Sequence, residues 1–153
     1  MTKEQKYKEF ISGFAALLEG EHDEVSVFSN ASAFIKDTFG FFWVGFYRVV
    51  GNKLLLGPFQ GSVACYRIPF GKGVCGTAWK EQKTIVVSDV EEFPGHIACS
   101  SLSRSEIVVP IWADGKVVAV LDIDSTELST FDDTDREYLE KACEIISKTY
   151  SED

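Results

Sequence analysis

The segment KVVAVLDID, residues 116–124, constrains the fold more than any other stretch of the chain. Side chains alternate across a strand, so Val118, Val120, Asp122 and Asp124 share one face, and Val117, Ala119, Leu121 and Ile123 share the other. A strand apolar on both faces has no stable position at a solvated surface. It has to run through the middle of a sheet, with a layer of structure on each side. Asp114-Gly115, the clearest hairpin signal in the sequence, joins it to EIVVPIWA, residues 106–113. The central pair is therefore antiparallel.

The flanking segments supply the covering layers. From Lys3 to Leu18, Tyr7, Phe10, Ile11, Phe14, Leu17 and Leu18 recur at three- and four-residue steps, the period of a helix buried on one side. A break at Gly20-Glu21-His22-Asp23 precedes a second amphipathic stretch, with Val25, Val27, Phe28, Ala31, Phe34 and Ile35, which Gly40 ends. FFWVGFYRVV, beginning at Phe41, and KLLLGPFQ form a hairpin about Gly51-Asn52. A strand through Cys65 to Pro69 leads into GKGVCGTAWKEQ, a glycine-rich turn opening a short helix. TIVVSDV is a brief strand, and residues 89–104 are a polar loop. A closing helix runs from Asp132 to about Tyr150, with Asp132, Asp133 and Asp135 at its positive end and a stripe of Tyr138, Leu139, Ala142, Ile145 and Ile146. These elements predict an α+β domain with a central antiparallel sheet and both terminal sets of helices on one face. The middle segments cover the other face, leaving a ligand pocket beneath them.

Charge narrows the possible partners. A formal net charge of -9 over 153 residues argues against a nucleic-acid groove and an anionic membrane surface. No leader or spanning stretch is evident, so the expected location is cytoplasmic. Thiols are kept reduced there, and cysteines serve catalysis or metals more often than structure.

Three of the four cysteines, Cys65, Cys75 and Cys99, lie in the middle of the chain at spacings of ten and twenty-four residues. Each stands beside a glycine, a turn or a segment edge, which suits a thiol that must be reached. An attacking cysteine with a nearby resolving cysteine is the first chemistry to consider. Cys65 lies among Val63, Ala64 and Ile68, where burial is plausible; Cys99 is in the most polar stretch, where a merely structural cysteine is least expected. Cys75 either packs or has its thiolate favoured by a helix N-terminus. A zinc site from Cys65, Cys75, Cys99 and His96 lacks short chelating pairs, so no metal and no cofactor is expected. Cys143 falls beside Leu139 and Ile146 and reads as a small core residue; His96 and His22 read as surface loop and turn residues.

Asp122 and Asp124 end a strand that is otherwise apolar. They either meet solvent or form an acidic cluster facing the pocket, which Glu106 joins across the hairpin. Three acids in one place raise one another's pKa, so one can stay protonated near neutrality and donate a proton. Trp43 and Tyr47 share a strand face with Gly45 between them leaving open space. They are either core or the aromatic walls of a pocket.

The strings LLEGEHDEVSVFSNASAFI, WVGFY, GPFQGSVACYRIPFGKGVCGTAW, SDVEEFPGHIACSSLSRSEIVVPI, VLDIDS and FDDTDREYLE cover nearly the whole chain. Their architecture resembles a GAF domain spanning residues 1–153, and their motifs resemble the free methionine-R-sulfoxide reductases. The resemblance implies reduction of free methionine R-sulfoxide, with Cys99 attacking, Cys65 resolving and Cys75 completing the redox set. It also implies a pocket of Trp43, Tyr47, Glu106, Asp122 and Asp124, recycling by thioredoxin, and a homodimer. A GAF sensor that binds a small ligand without turnover, and a thiol redox switch, are the alternatives.

Overall fold

Residues 1–151 of the chain are described by a computed structural model. Helix α1 (Lys3–Leu18) begins with a reciprocal cap between Thr2 and Gln5, and α2 (Glu24–Phe39) ends at Gly40, whose φ of 70° is one a side chain rarely adopts. Strands β1 (Trp43–Val50) and β2 (Lys53–Gln60) form the hairpin about Gly51-Asn52. The short β3 (Arg67–Pro69), α3 (Gly73–Glu81) and β4 (Ile85–Val87) follow, then one 3-10 turn at Val90–Glu92. The long hairpin of β5 (Ser105–Ala113) and β6 (Lys116–Ser125) leads to α4 (Asp133–Lys148).

All six strands join one antiparallel sheet in the order β3-β2-β1-β6-β5-β4. β6 lies at its middle, as its two apolar faces require. The two edge strands are three residues long, too short to template much pairing with another chain. Pro110 is tolerated in β5 because β4 pairs only as far as Val108, leaving no partner that needs its missing N–H.

Each face of the sheet has its own core. On one, α1, α2 and α4 bury Phe10, Phe14, Phe28, Leu139 and Ile146 against Phe46, Ile107, Val109, Leu121 and Ile123. Phe28 stacks on Phe46 with ring centroids 4.2 Å apart. Cys143 belongs to this core. On the other face, α3 buries Val74, Cys75 and Ala78 against Tyr47, Val108 and Val120. Among the described residues, no helix is long and apolar enough to cross a membrane.

A buried polar tie closes the first core. Tyr7 donates to Asp135 Oδ1 at 2.5 Å, while Lys3 Nζ lies 2.7 Å from Asp135 Oδ2 and the Asp132 N–H donates to the same oxygen at 2.9 Å. One carboxylate thus joins the start of α1 to the start of α4. Asp135→Ala strands the Tyr7 hydroxyl and removes the reciprocal cap, an expected cost of roughly 2–4 kcal/mol read from urea unfolding midpoints.

Some boundaries differ from the sequence reading. β1 starts at Trp43 rather than Phe41, and Cys65 lies before β3 rather than within a strand. The segment holding Cys65 stands off the ladder because the Ser62 and Cys65 carbonyls accept from the Trp43 and Tyr47 side chains, and backbone pairing with β2 resumes at the Tyr66 carbonyl.

Candidate active site

Strand register gathers the acids. Asp124 lies between Trp43 on β1 and Glu106 on β5, and Asp122 lies between Gly45 and Val108. Glu106, Asp122 and Asp124 therefore stand together on the face that α3 covers. Glu106 and Asp122 are each 6% exposed; Asp124 stands nearer the opening.

Burial is the leading cause of their electrostatic character. It pushes the carboxyl groups of Glu106 and Asp124 well above their ordinary range, and the negative charge of Asp122 adds to it. Asp122 is raised too, but hydrogen bonds from Glu106, Cys75 and Asp124 pull it partly back. Asp122 is therefore the first of the three to ionise, with protons held by its neighbours. Its Oδ1 is buried without a hydrogen-bond partner, and a proton on a neighbouring acid would supply one, which favours the same distribution.

A carboxyl whose pKa is raised by folding contributes stability that is complete below its unfolded value of about 4 and is lost as pH rises through the folded value. Thermal stability should accordingly be lower at pH 8 than near pH 5.5. Glu106→Gln should narrow that gap by raising stability at pH 8 by about 1–2 kcal/mol, or roughly 2–8 °C in Tm. An unchanged pH profile in the variant would remove this cluster as its cause.

The cysteines divide into two kinds. Cys65 and Cys99 are joined as a disulfide with Cα atoms 5.5 Å apart, across 34 residues of sequence. The Cys65 side is anchored, because Tyr47 donates its hydroxyl to the Cys65 carbonyl at 2.8 Å and Trp43 Nε1 donates to the Ser62 carbonyl at 2.9 Å. The Cys99 side is a loop leaning on α3: a Cβ on Gly73 would meet Ile97 Cγ1 at 3.1 Å. Cys75, in the first turn of α3, is buried within reach of Asp122. Burial, followed by the charges of Asp122, Glu106 and Asp124, pushes its thiol pKa well up. Of the two readings from sequence, packing prevails over a thiolate stabilised by the helix end.

Two other expectations change. His96 is not a surface residue: its side chain is 17% exposed and its Nε2 stands 3.9 Å from Glu106 Oε1. Burial lowers its pKa, so the ring facing the acids is neutral at pH 7. The space above Gly45 is filled rather than open, since a Cβ there would collide with Phe59 and the Trp43 ring. Phe59 reaches it because β2 bulges opposite the Gly45–Tyr47 step. His22 is exposed at the α1–α2 turn, with its Nδ1 3.1 Å from the Thr149 carbonyl oxygen.

These groups surround one cavity, walled by Trp43, Tyr47 and Cys75, floored by Glu106 and Asp122, and roofed by Cys99. With the disulfide closed it holds about 40 Å³, room for two or three waters. Lys72, exposed at the start of α3, also lines it and was not singled out in the sequence. Cys75, Glu106 and Asp122 offer ligand atoms within 4.8 Å of one another and could hold a cation. The bridge removes Cys65 and Cys99 from the zinc set considered from sequence.

The family model for the GAF domain matches residues 21–149. GAF domain-containing protein A of Dictyostelium discoideum is 49% identical over 146 residues, covering 95% of this chain and 92% of the relative. The free methionine-R-sulfoxide reductase of Saccharomyces cerevisiae is 43% identical, covering 97% of this chain and 88% of the relative. A crystal structure of free methionine-R-sulfoxide reductase from Neisseria meningitidis, in complex with its substrate, superposes with a TM-score of 0.96 at 49% identity, covering 98% of this chain and 91% of that one. Sheet order, helix placement and sequence agree over nearly the full length, and the chain belongs to the GAF domain family.

Proposed function

We propose that this chain reduces the R-sulfoxide of free methionine, with Cys99 as nucleophile, Cys65 as resolving thiol and thioredoxin as reductant. The observation that carries the reading is the Cys65–Cys99 bridge over a cavity floored by acids whose carboxyl groups burial raises above their ordinary range. The names of the yeast and Neisseria relatives point the same way.

The chemistry balances with these groups alone. Cys99 thiolate attacks the sulfoxide sulfur, and Glu106 gives a proton to the oxygen. The hydroxyl then passes from the substrate sulfur to the Cys99 sulfur as the S–O bond and the transient sulfur–sulfur bond break, so that methionine departs and Cys99 is left as a sulfenic acid. The Cys65 thiol condenses with it, forming the disulfide and water. Asp122 carboxylate, helped by Asp124, holds the substrate ammonium. Backbone N–H groups in the 96–102 loop and the Lys72 ammonium receive its carboxylate. Trp43 and Tyr47 enclose the methyl and methylene groups, and they steady one side of the mouth through the Ser62 and Cys65 carbonyls. A methionine inside a peptide lacks both free charges and gains nothing from this cavity. The reading includes a single domain over residues 1–153, working as a homodimer in the cytoplasm.

The test is incubation with each diastereomer of free methionine sulfoxide, thioredoxin, its reductase and NADPH. The R form should be converted with one NADPH consumed per methionine, and N-acetylmethionine sulfoxide should be inert. No methionine from either form, with the bridge demonstrably reduced, would return the chain to ligand binding without turnover.

A further inference from the structure

The bridge has to be reopened once per turnover, and the surface around it says what kind of molecule does so. Large apolar side chains lie exposed on both strands of chain that carry the bridge: Tyr66, next to Cys65, is 76% exposed, Val63 is 87% exposed, and Leu102, three residues beyond Cys99, is 61% exposed. Three residues of chain span at most about 11 Å, and the two cysteine Cα atoms are 5.5 Å apart, so Tyr66 and Leu102 flank the bridge at no more than about 20 Å from one another. Isolated exposed hydrophobes are ordinary, but a group of them around a reactive bond marks a contact surface.

Charge is also uneven there. Residues 61–80 contain Arg67, Lys72 and Lys80 and no acid, and residues 95–105 contain Arg104 and no acid, in a chain of net charge -9. Arg67, Lys72 and Arg104 are exposed. The two segments that carry the bridge are thus apolar and cationic on an otherwise acidic molecule, with Asp89 and Glu91 approaching at Arg104, whose carbonyl accepts from the Val90 N–H. A small anionic thiol gains little from the apolar part; an acidic protein with a flat apolar face around its own dithiol gains from both parts.

We propose that Tyr66 and Leu102, with Val63 at the cavity mouth and the cations Arg67 and Arg104, form the docking surface for an acidic protein dithiol that reduces the Cys65–Cys99 bridge. The inference rests on the reductase reading above. The partner thiolate attacks Cys65 Sγ, the Cys65–Cys99 bond breaks, and Cys99 leaves as a thiolate with the electron pair. Cys99 already lines the cavity, so it is released where the next substrate binds. The partner's second thiol, after losing its proton, attacks the partner sulfur of the mixed disulfide. Cys65 leaves, takes up a proton, and the partner departs oxidised.

The experiment compares reductants on the Tyr66→Ser/Leu102→Ser double variant, neither residue being part of the proposed substrate site. With thioredoxin, its reductase and NADPH, kcat/KM for thioredoxin should fall about ten- to thirtyfold, the scale of losing interface anchors. With dithiothreitol as the reductant, turnover should equal that of the parent chain. Arg67→Glu should lower the thioredoxin rate further and weaken its decline with added salt, again leaving the dithiothreitol rate unchanged. Equal thioredoxin rates in parent and double variant would overturn the proposal, as would equal losses with both reductants. Glutathione driving the parent as well as thioredoxin at equal thiol concentration would overturn it too. Failure of the reductase reading looks different: the parent would then release no methionine even with dithiothreitol.

Discussion

Replacing Cys99 with serine should abolish steady-state reduction and also the first equivalent of methionine released from reduced protein. The loss should be about 10⁴-fold or more, since a residue whose sulfur forms the covalent intermediate has no substitute. Cys65→Ser should behave differently. In the proposed mechanism its sulfur acts only after methionine has left, so quenched single-turnover experiments should give close to one methionine per chain and then a stalled sulfenic acid, trappable by dimedone. Cys75 provides the control. Its thiol is buried and held protonated beside Asp122, so Cys75→Ser should retain the first turnover. A full first equivalent from the Cys99 variant would move the nucleophile to another sulfur.

Glu106→Gln should lower the chemical step by roughly 10²–10⁴, the usual worth of a positioned proton donor. Glu106 is the better donor of the three acids because it is more deeply buried than Asp124 and its hydrogen bonding with both Asp122 and Asp124 raises it, whereas the bond with Glu106 lowers Asp124. The pH profile should carry the same signature: turnover falls as pH rises through the elevated Glu106 value, while the need for a Cys99 thiolate limits it on the acid side. Asp122→Asn should instead raise KM for the sulfoxide, because it removes a charge-assisted bond of roughly 1.5–3 kcal/mol, about one to two decades in affinity. Asp124→Asn should act in the same direction. Rapid-quench kinetics at saturating substrate separate the two effects. Unaltered kcat in Glu106→Gln would hand the proton to another group.

The acid cluster was legible because it depends on period and register alone. Two-residue alternation puts Asp122 and Asp124 on one face, and a hairpin closed by Asp114-Gly115 brings Glu106 opposite. The helices were legible for the same reason: periodic stripes and strong caps survive without knowledge of the tertiary structure. What sequence could not give depends on contacts between distant segments. Phe59 fills the space over Gly45 through a bulge in a neighbouring strand. His96 turns inward because its loop is folded over the sheet, and the hydrogen bonds from Trp43 and Tyr47 reach carbonyls 19 and 18 residues away. Composition around position 96 is polar, so nothing local distinguishes a loop that lies over a pocket from one that meets solvent.

A cavity of about 40 Å³ under a closed bridge has a kinetic consequence. So little room beneath the bridge disfavours methionine sulfoxide, so in the proposed cycle the oxidised chain should bind substrate poorly, and the reduced chain offers its reductant no bond to attack. The two proposed co-substrates should meet different forms of the molecule rather than share a ternary complex. Double-reciprocal plots at several reductant concentrations should then be parallel lines, the mark of a ping-pong cycle. Rising sulfoxide should leave the reductant's encounter unhindered, with the slower of the two encounters setting the turnover rate.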